Sequence, residues 1–390
     1  MARSRTSPPS PLSPLGALSV DQFLDRHWQR RPALLRQAFP GFRPPLGAAA
    51  IRAMALRDDA EARLIERIAS RWRVTHGPLE RLPSLRRRGW TVLVQGVDLL
   101  DDGVHALLGR FRFVPDARLD DVMVSFATDG GGVGPHVDSY DVFLLQAEGR
   151  RRWRIGRQRN HAFVPGLPLR ILARFEPQHE YLLEPGDLLY LPPGWAHDGS
   201  AEGDCLTYSI GFRAPGRGEV LRAWFEHCAD TVAEGGPQLR DPGRRATRQP
   251  ARVPPDVART LHAWIAAHRA RPAEVDAFVG AMLSEPKPSV FFDAPRRPAG
   301  AARLSAVIAR SGIVLDRRTR MLYDRARLYV NGETLALARA GRAGALWRRL
   351  ADARGLEPAQ AARLLDDPVA ARQIEQWYRA GWLKPGRPAP

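Results

Sequence analysis

Between Leu119 and Phe212 the chain is a succession of short apolar runs, each closed by glycine or proline, and this texture leaves few folds open. Val122, Val124 and Phe126 fall on one face of an extended segment while Met123 and Ser125 fall on the other, the period of a strand buried on one side. Tyr140 to Ala147 is apolar again and is closed by Glu148-Gly149, so Arg150 to Gly156 reads as the returning arm of a hairpin. Tyr181 to Leu183, a Glu184-Pro-Gly-Asp187 turn, Leu188 to Leu191, a Pro192-Pro-Gly194 corner and Leu206 to Phe212 follow. Many short strands with such corners predict a double-sheet jelly roll or barrel, and the helical flanks make the chain α+β.

Before the barrel, Val20 to Arg31 has helical periodicity, with Phe23, His27 and Arg31 on one face and Leu24 and Trp28 beside them. After it, Gly218 to Glu285 reads as helical, with Val220 to Ala233 and Pro255 to Ala270 separated by an Arg- and Pro-rich connector, an arrangement suited to self-association. Past Pro286-Lys-Pro288, Asn331-Gly332 between Arg327 to Val330 and Thr334 to Leu337 is a hairpin signal. Helical segments near Ala343 to Ala353 and Glu375 to Ala380 complete a winged-helix-like pattern, whose spacing does not specify DNA binding. The expected division is a tail at 1–16, a barrel domain at 17–215, a helical region at 216–288 and a C-terminal domain at 289–390.

With 390 residues and 44% hydrophobic composition the chain can bury more than one core. It has no run of eighteen apolar residues to span a membrane. Met1 to Leu15 lacks the continuous apolar stretch of a secretion signal, and two cysteines, Cys205 and Cys228, do not make a disulfide framework, so a reducing cytoplasm is expected. The net charge of +17 suits contact with RNA or a ribonucleoprotein. Because Lys287 and Lys384 are the only lysines, a solvated arginine surface set by coding bias is an equal reading.

The chemistry lies in Gly130-Gly-Gly-Val-Gly-Pro-His136-Val-Asp138. Residues two apart on a strand project from one face, so the imidazole and the carboxylate can meet at one ion. Pro192-Pro-Gly-Trp-Ala-His197 supplies a third candidate ligand, 59 residues after Asp138. Two histidines and one carboxylate leave half an octahedron open, the donor pattern of non-haem Fe(II) oxygenases, with room for a bidentate cosubstrate and dioxygen. Arg151 shares a strand face with Trp153 and Ile155, which turns one guanidinium inward. Such a charge needs a carboxylate, either the distal one of 2-oxoglutarate or that of a protein side chain. Ser125 could add a hydroxyl there or be a plain strand serine. Tyr140 and Trp195 flank the ligands, as pocket lining or as core. The other histidines have no ligand-like spacing; His161 and His179 lie within the barrel region. There is no phosphate-cradling glycine motif and no nucleophile elbow.

At these residues the sequence resembles the JmjC-type cupin oxygenases, and within them the bacterial ribosomal oxygenases. Gly-Gly-Val-Gly-Pro-His136-Val-Asp138-Ser-Tyr-Asp-Val-Phe, Glu148-Gly-Arg-Arg151-Arg-Trp-Arg-Ile-Gly, Glu184 through His197 and Tyr208-Ser-Ile-Gly-Phe-Arg carry the resemblance. Phe23 to Leu35 and Arg327-Leu-Tyr-Val-Asn-Gly-Glu extend it to both ends. It implies a double-stranded β-helix barrel, a helical dimerisation segment and a C-terminal winged-helix-like domain in a homodimer. It also implies Fe(II) on His136, Asp138 and His197, 2-oxoglutarate on Arg151 with Ser125, O2 as oxidant, and hydroxylation of an arginine on a large-subunit ribosomal protein, number sixteen. An arginine substrate on a basic protein requires local acidity in so basic an enzyme. Asp129 is the expected guanidinium partner, against a turn role before glycines, and Tyr140 the expected neighbour of the substrate. The alternatives are a hydroxylase of another side chain such as histidine, and a metal-sensing cupin regulator that binds nucleic acid.

Overall fold

The alternation that begins at Leu119 becomes part of a ten-stranded antiparallel sheet in the computed structural model, which describes residues 14–68, 71–231, 238–240, 242, 252–267, 270–337 and 343–387. Its strands are β1 (Ala33–Leu35), β2 (Ala62–Ile68), β3 (Arg71–His76), β4 (Trp90–Val94), β5 (Leu119–Ala127), β6 (His136–Val137), β7 (Val142–Gly156), β8 (His179–Leu183), β9 (Leu188–Leu191) and β10 (Ala196–Phe212). The order is β1-β9-β7-β10-β5-β4-β2-β3, with β8 added to β7 and β6 to β10. Through the long strands β7 and β10 the sheet folds over on itself, giving the predicted double-sheet barrel.

Strand parity decides which face is which. Val122, Val124 and Phe126 pack into the main core, against α1 (Val20–Arg26), α2 (Ala48–Met54) and α3 (Asp102–Gly109). Phe143 is fully buried there, with the rings of Phe23, Phe111, Tyr190 and Phe212 around it. Asp121, Met123 and Ser125 face the other way, into the barrel. A smaller core of Leu144, Trp153, Ile155, Leu183 and Leu189 closes the barrel floor.

The Tyr140–Gly156 segment is not a hairpin. Val142 to Gly156 is one strand, and Glu148-Gly149 marks a bulge where the pairing with β10 slips from Arg150↔Glu202 to Glu148↔Leu206. Gly149 takes φ +63°, and a Cβ there would fall 2.1 Å from the Asp204 carbonyl oxygen, so a turn-like glycine signal here encodes a bend within a strand. The first helix is also shorter than its periodicity suggests. It ends at Arg26, because Gln29, at φ +56°, gives its backbone N–H to Tyr190 Oη (2.7 Å) and its side-chain amide to Asp141 (2.9 Å). Tertiary bonds outbid helix continuation. Leu15, read as part of the tail, is fully buried in the main core; residues 1–13 of that tail lie outside the described residues.

The chain divides into two compact units, Met1–Ala214 and Pro215–Pro390. The second holds α4 (Arg217–Thr231), α5 (Pro255–Ala267), α6 (Pro272–Ser284) and α7 (Ala301–Ser311). It also holds β11 (Ile313–Leu315), β12 (Met321–Tyr323), β13 (Arg327–Val330) and β14 (Glu333–Ala336). The Arg- and Pro-rich connector lies largely outside the described residues. Asn331 and Gly332, at φ +50° and +89°, form the two-residue turn between β13 and β14. Helix α6 docks on this hairpin across the boundary expected at 288, with Tyr329 Oη on the Asp276 carbonyl (3.2 Å) and Gly332 N–H on Ser284 Oγ (3.1 Å). Leu304, Ile308, Trp347, Ile374 and Trp377 form this unit's core.

Gly149→Ala is expected to destabilise the barrel by at least about 1–2 kcal/mol, the cost of a left-handed Cβ, with the carbonyl clash added. A fall in the denaturant midpoint of the first unit's unfolding checks it, and an unchanged midpoint would show that the bend tolerates a side chain.

Candidate metal centre

The short strand β6 pairs with the start of β10 so that His136 stands directly opposite His197. The Pro192-Pro-Gly-Trp corner delivers His197 to that position, and the corner is pinned by the Gly194 N–H on the Asp138 carbonyl (2.9 Å). One ligand atom each from His136, Asp138 and His197 can be chosen so that all lie within 4.8 Å of one another. His136 Nε2 is 4.0 Å from Asp138 Oδ1, and His197 Nε2 is 3.6 Å from Asp138 Oδ2.

Second contacts orient both rings. His136 Nδ1 lies 2.9 Å from the Gly134 carbonyl and His197 Nδ1 3.0 Å from the Trp195 carbonyl. A carbonyl only accepts, so each Nδ1 carries the proton and each Nε2 lone pair points at the shared space. Burial, and then the neighbouring His136, push the His197 imidazole down to about 4, which keeps it neutral and ready to donate a lone pair.

Arg151 is 2% exposed and points into the same cavity. Its Nη1 donates to Ser125 Oγ (3.2 Å) and Thr207 Oγ1 (3.5 Å), and its Nη2 to the Gly199 carbonyl (3.2 Å). Its Nε is buried with no partner, and no acidic side chain pairs with it among the described residues. The neighbours on the opposite strand face behave differently: Arg152 is ion-paired with Glu180 and Glu202, and Arg154 with Asp198. A buried cation left with neutral acceptors alone is costly, so this cradle fits an incoming carboxylate.

The cavity is about 940 Å³, and Tyr140 lines it while remaining 40% exposed. Burial, then the carboxylates of Asp138 and Asp121, hold the Tyr140 proton on. Asp129 is not there. It lies outside the cavity lining, where its carboxylate accepts from the Gly203 N–H (2.8 Å) and pairs with Arg88, so it closes a turn. The acidic side chains in the cavity are instead Asp120 and Asp121, besides Asp138. Extending the Met123/Ser125 face by one strand period would have found Asp121. Thr207 was missed too, though it pairs across the ladder with Ser125. His161 lines the cavity with Nε2 on the Gln158 carbonyl (2.9 Å), whereas His179 is exposed and stacks on Tyr181.

Known proteins share this arrangement of domains. A JmjC-domain family model matches residues 106–220, and a ROXA-like winged-helix model matches 267–384. The chain is 35% identical to the ribosomal protein uL16 3-hydroxylase of Escherichia coli over 282 residues, 72% of this chain and 75% of that one. It is 35% identical to a probable ribosomal oxygenase of Haemophilus influenzae over 216 residues, 52% of each. The solved structure of E. coli ycfD superposes with a TM-score of 0.82 at 31% identity, covering 94% of this chain and 98% of that one. A ycfD complex with cobalt and 2-oxoglutarate gives 0.80 at 31% identity over the same shares. With its barrel, its His-x-Asp and later histidine, and its winged helix accounted for, the chain belongs to the JmjC-domain ribosomal oxygenases.

Proposed function

We propose that the chain is an Fe(II)- and 2-oxoglutarate-dependent hydroxylase of a ribosomal protein, with an arginine of uL16 as its target. The observation that carries this reading is Arg151, a buried guanidinium without a carboxylate partner among the described residues, in one cavity with a two-histidine, one-carboxylate donor cluster. Bound ferrous iron and 2-oxoglutarate supply, with O2, the oxidising power to hydroxylate an unactivated carbon as the cosubstrate becomes succinate and CO2.

The protein's part is positional. His136 and His197 offer fixed Nε2 lone pairs and Asp138 the anionic ligand. Arg151 neutralises the distal carboxylate, held in place by the Ser125 and Thr207 hydroxyls; Thr207 is itself oriented by donating to Gln146 (3.0 Å). The buried Asp121, steadied by Gln95 Nε2 (2.6 Å), puts negative charge where a substrate guanidinium enters, beside Tyr140. The Asp120 and Asp121 carboxylates within a chain of +17 give a basic target side chain a local point of attraction.

The assembly and setting are part of the same proposal. Exposed Leu221, Phe225, Leu261 and Ile265 on α4 and α5 suit a homodimer built on the helical region. The arginine surplus suits contact with RNA around the target protein. No helix among the described residues is long and apolar enough to cross a membrane. A ribosomal target suits a cytoplasmic setting.

The direct test is mass spectrometry of a basic uL16 peptide incubated with enzyme, Fe(II) and 2-oxoglutarate: one added oxygen on an arginine is expected, and none would end the reading. Asp138→Ala should lose cobalt binding, followed by visible absorption, along with all turnover. Arg151→Gln should weaken 2-oxoglutarate binding roughly 10- to 100-fold, from about 1.5–3 kcal/mol for a hydrogen bond to a charged group; calorimetric titration with cobalt-loaded protein reads it. Asp121→Asn should raise the KM for an arginine peptide roughly tenfold while the KM for 2-oxoglutarate stays put. Equal change in both would remove Asp121 from the substrate side.

A further inference from the structure

One end of the large sheet is open beside the cavity. β3 is the terminal strand, paired among the described residues with β2 alone. The ladder couples Leu64 with Thr75, Glu66 with Arg73 and Ile68 with Arg71, and the Gly77 N–H meets the Ala62 carbonyl (2.8 Å). Bonded pairs alternate in an antiparallel ladder, so the backbone groups of residues 71, 73, 75 and 77 are spent on β2. Those of Trp72, Val74 and His76 point outward, and among the described residues they make no other hydrogen bond.

The side chains of these three residues take the cavity's side of the sheet. Trp72, Val74 and His76 sit opposite Arg67, Ile65 and Arg63, and Ile65 and Arg63 line the cavity. Trp72 reaches the glycine run, its ring lying against Gly134, two residues before His136. The strand's own arginines, Arg71 and Arg73, project to the opposite face, where Arg73 lies 3.9 Å from Glu66.

We infer that the outward edge of β3 takes the backbone of an extended segment of the protein substrate as an added strand, holding it while the target side chain enters the cavity. This rests on the function proposed above. A protein side chain that enters the cavity brings its flanking backbone against the rim, and the N–H and C=O groups that lose water there need partners. An adjacent strand edge with its unspent groups in register supplies them, and its side chains meet alternate residues of the guest. Backbone pairing also serves a basic substrate without requiring acidic side chains along the rim.

Val74→Pro tests this selectively, since it deletes an N–H that β2 does not use, and proline is tolerated on an edge strand facing out. With a long uL16 segment the KM should rise about three- to tenfold, as for one lost hydrogen bond, while kcat, 2-oxoglutarate affinity and melting temperature hold. A pentapeptide centred on the target arginine, too short to lie along β3, should be indifferent to the change. In the wild-type protein the amides of Trp72, Val74 and His76 should gain hydrogen-exchange protection when the long segment binds, a readout that survives even if the proline variant misfolds. An unchanged KM together with unprotected amides overturns the inference and leaves the hydroxylase reading standing. A change in native mass on Val74→Pro overturns it in favour of a second copy of this chain at the edge. Failure of the wild-type enzyme to oxidise any uL16 segment removes the function itself, and the docking edge with it.

Discussion

The pairing of β7 with β10 is the constraint from which the functional features hang. Both strands run through the bend of the barrel, and their ladder slips at Gly149 opposite Gly203 to Cys205. Beyond that slip, Ala201 faces Arg151 and His197 faces Ile155. A backbone ladder therefore fixes the spacing between the candidate metal ligands and the candidate cosubstrate cation, with little left to side-chain flexibility. A shift of one residue in either strand would turn Arg151 outward among its ion-paired neighbours and bring Arg150 or Arg152 inward.

Charge inside the barrel is balanced where that of the whole chain is strongly positive. The sequence carries an arginine excess, while the cavity lining sets Asp120, Asp121 and Asp138 against Arg63, Arg151 and Arg170, with Arg151 the buried one. Low solvent access makes the buried Asp121 and Arg151 count for more than the arginines outside. One region is thus suited to a cation and a neighbouring one to a carboxylate, which is the division a two-substrate reaction needs. The net charge of a chain says little about what its cavity accepts.

Glycine and asparagine signals were legible to different degrees. Asn331-Gly332 was read as a hairpin turn and is one, because two consecutive left-handed residues suit little else. Gly149 was read the same way and is instead a bulge, since the same backbone conformation serves both and only the partner strand distinguishes them. Asp129 looked acidic and close to the glycine run, but proximity along the chain placed it on the outer turn with Arg88, while Asp121 reached the cavity by strand parity. The helix at Val20 stopped early because Tyr190 and Asp141, more than a hundred residues away, claimed Gln29.

The amino-acid order alone determined the barrel, the His136-x-Asp138 pairing on one side of the chain (although the strand itself ends at Val137), the later histidine behind its Pro-Pro-Gly-Trp corner and the inward turn of Arg151. Each of these follows from a period of two or from local turn chemistry, which are properties of neighbouring residues. The folded chain decided what depends on distant partners: that His136 lies opposite His197, that Asp121 and not Asp129 lines the cavity, and that among the described residues no carboxylate reaches Arg151 and β3 keeps one edge unspent. Those are outcomes of register and burial, which arise only when segments far apart in sequence compete for the same hydrogen bonds and the same interior space.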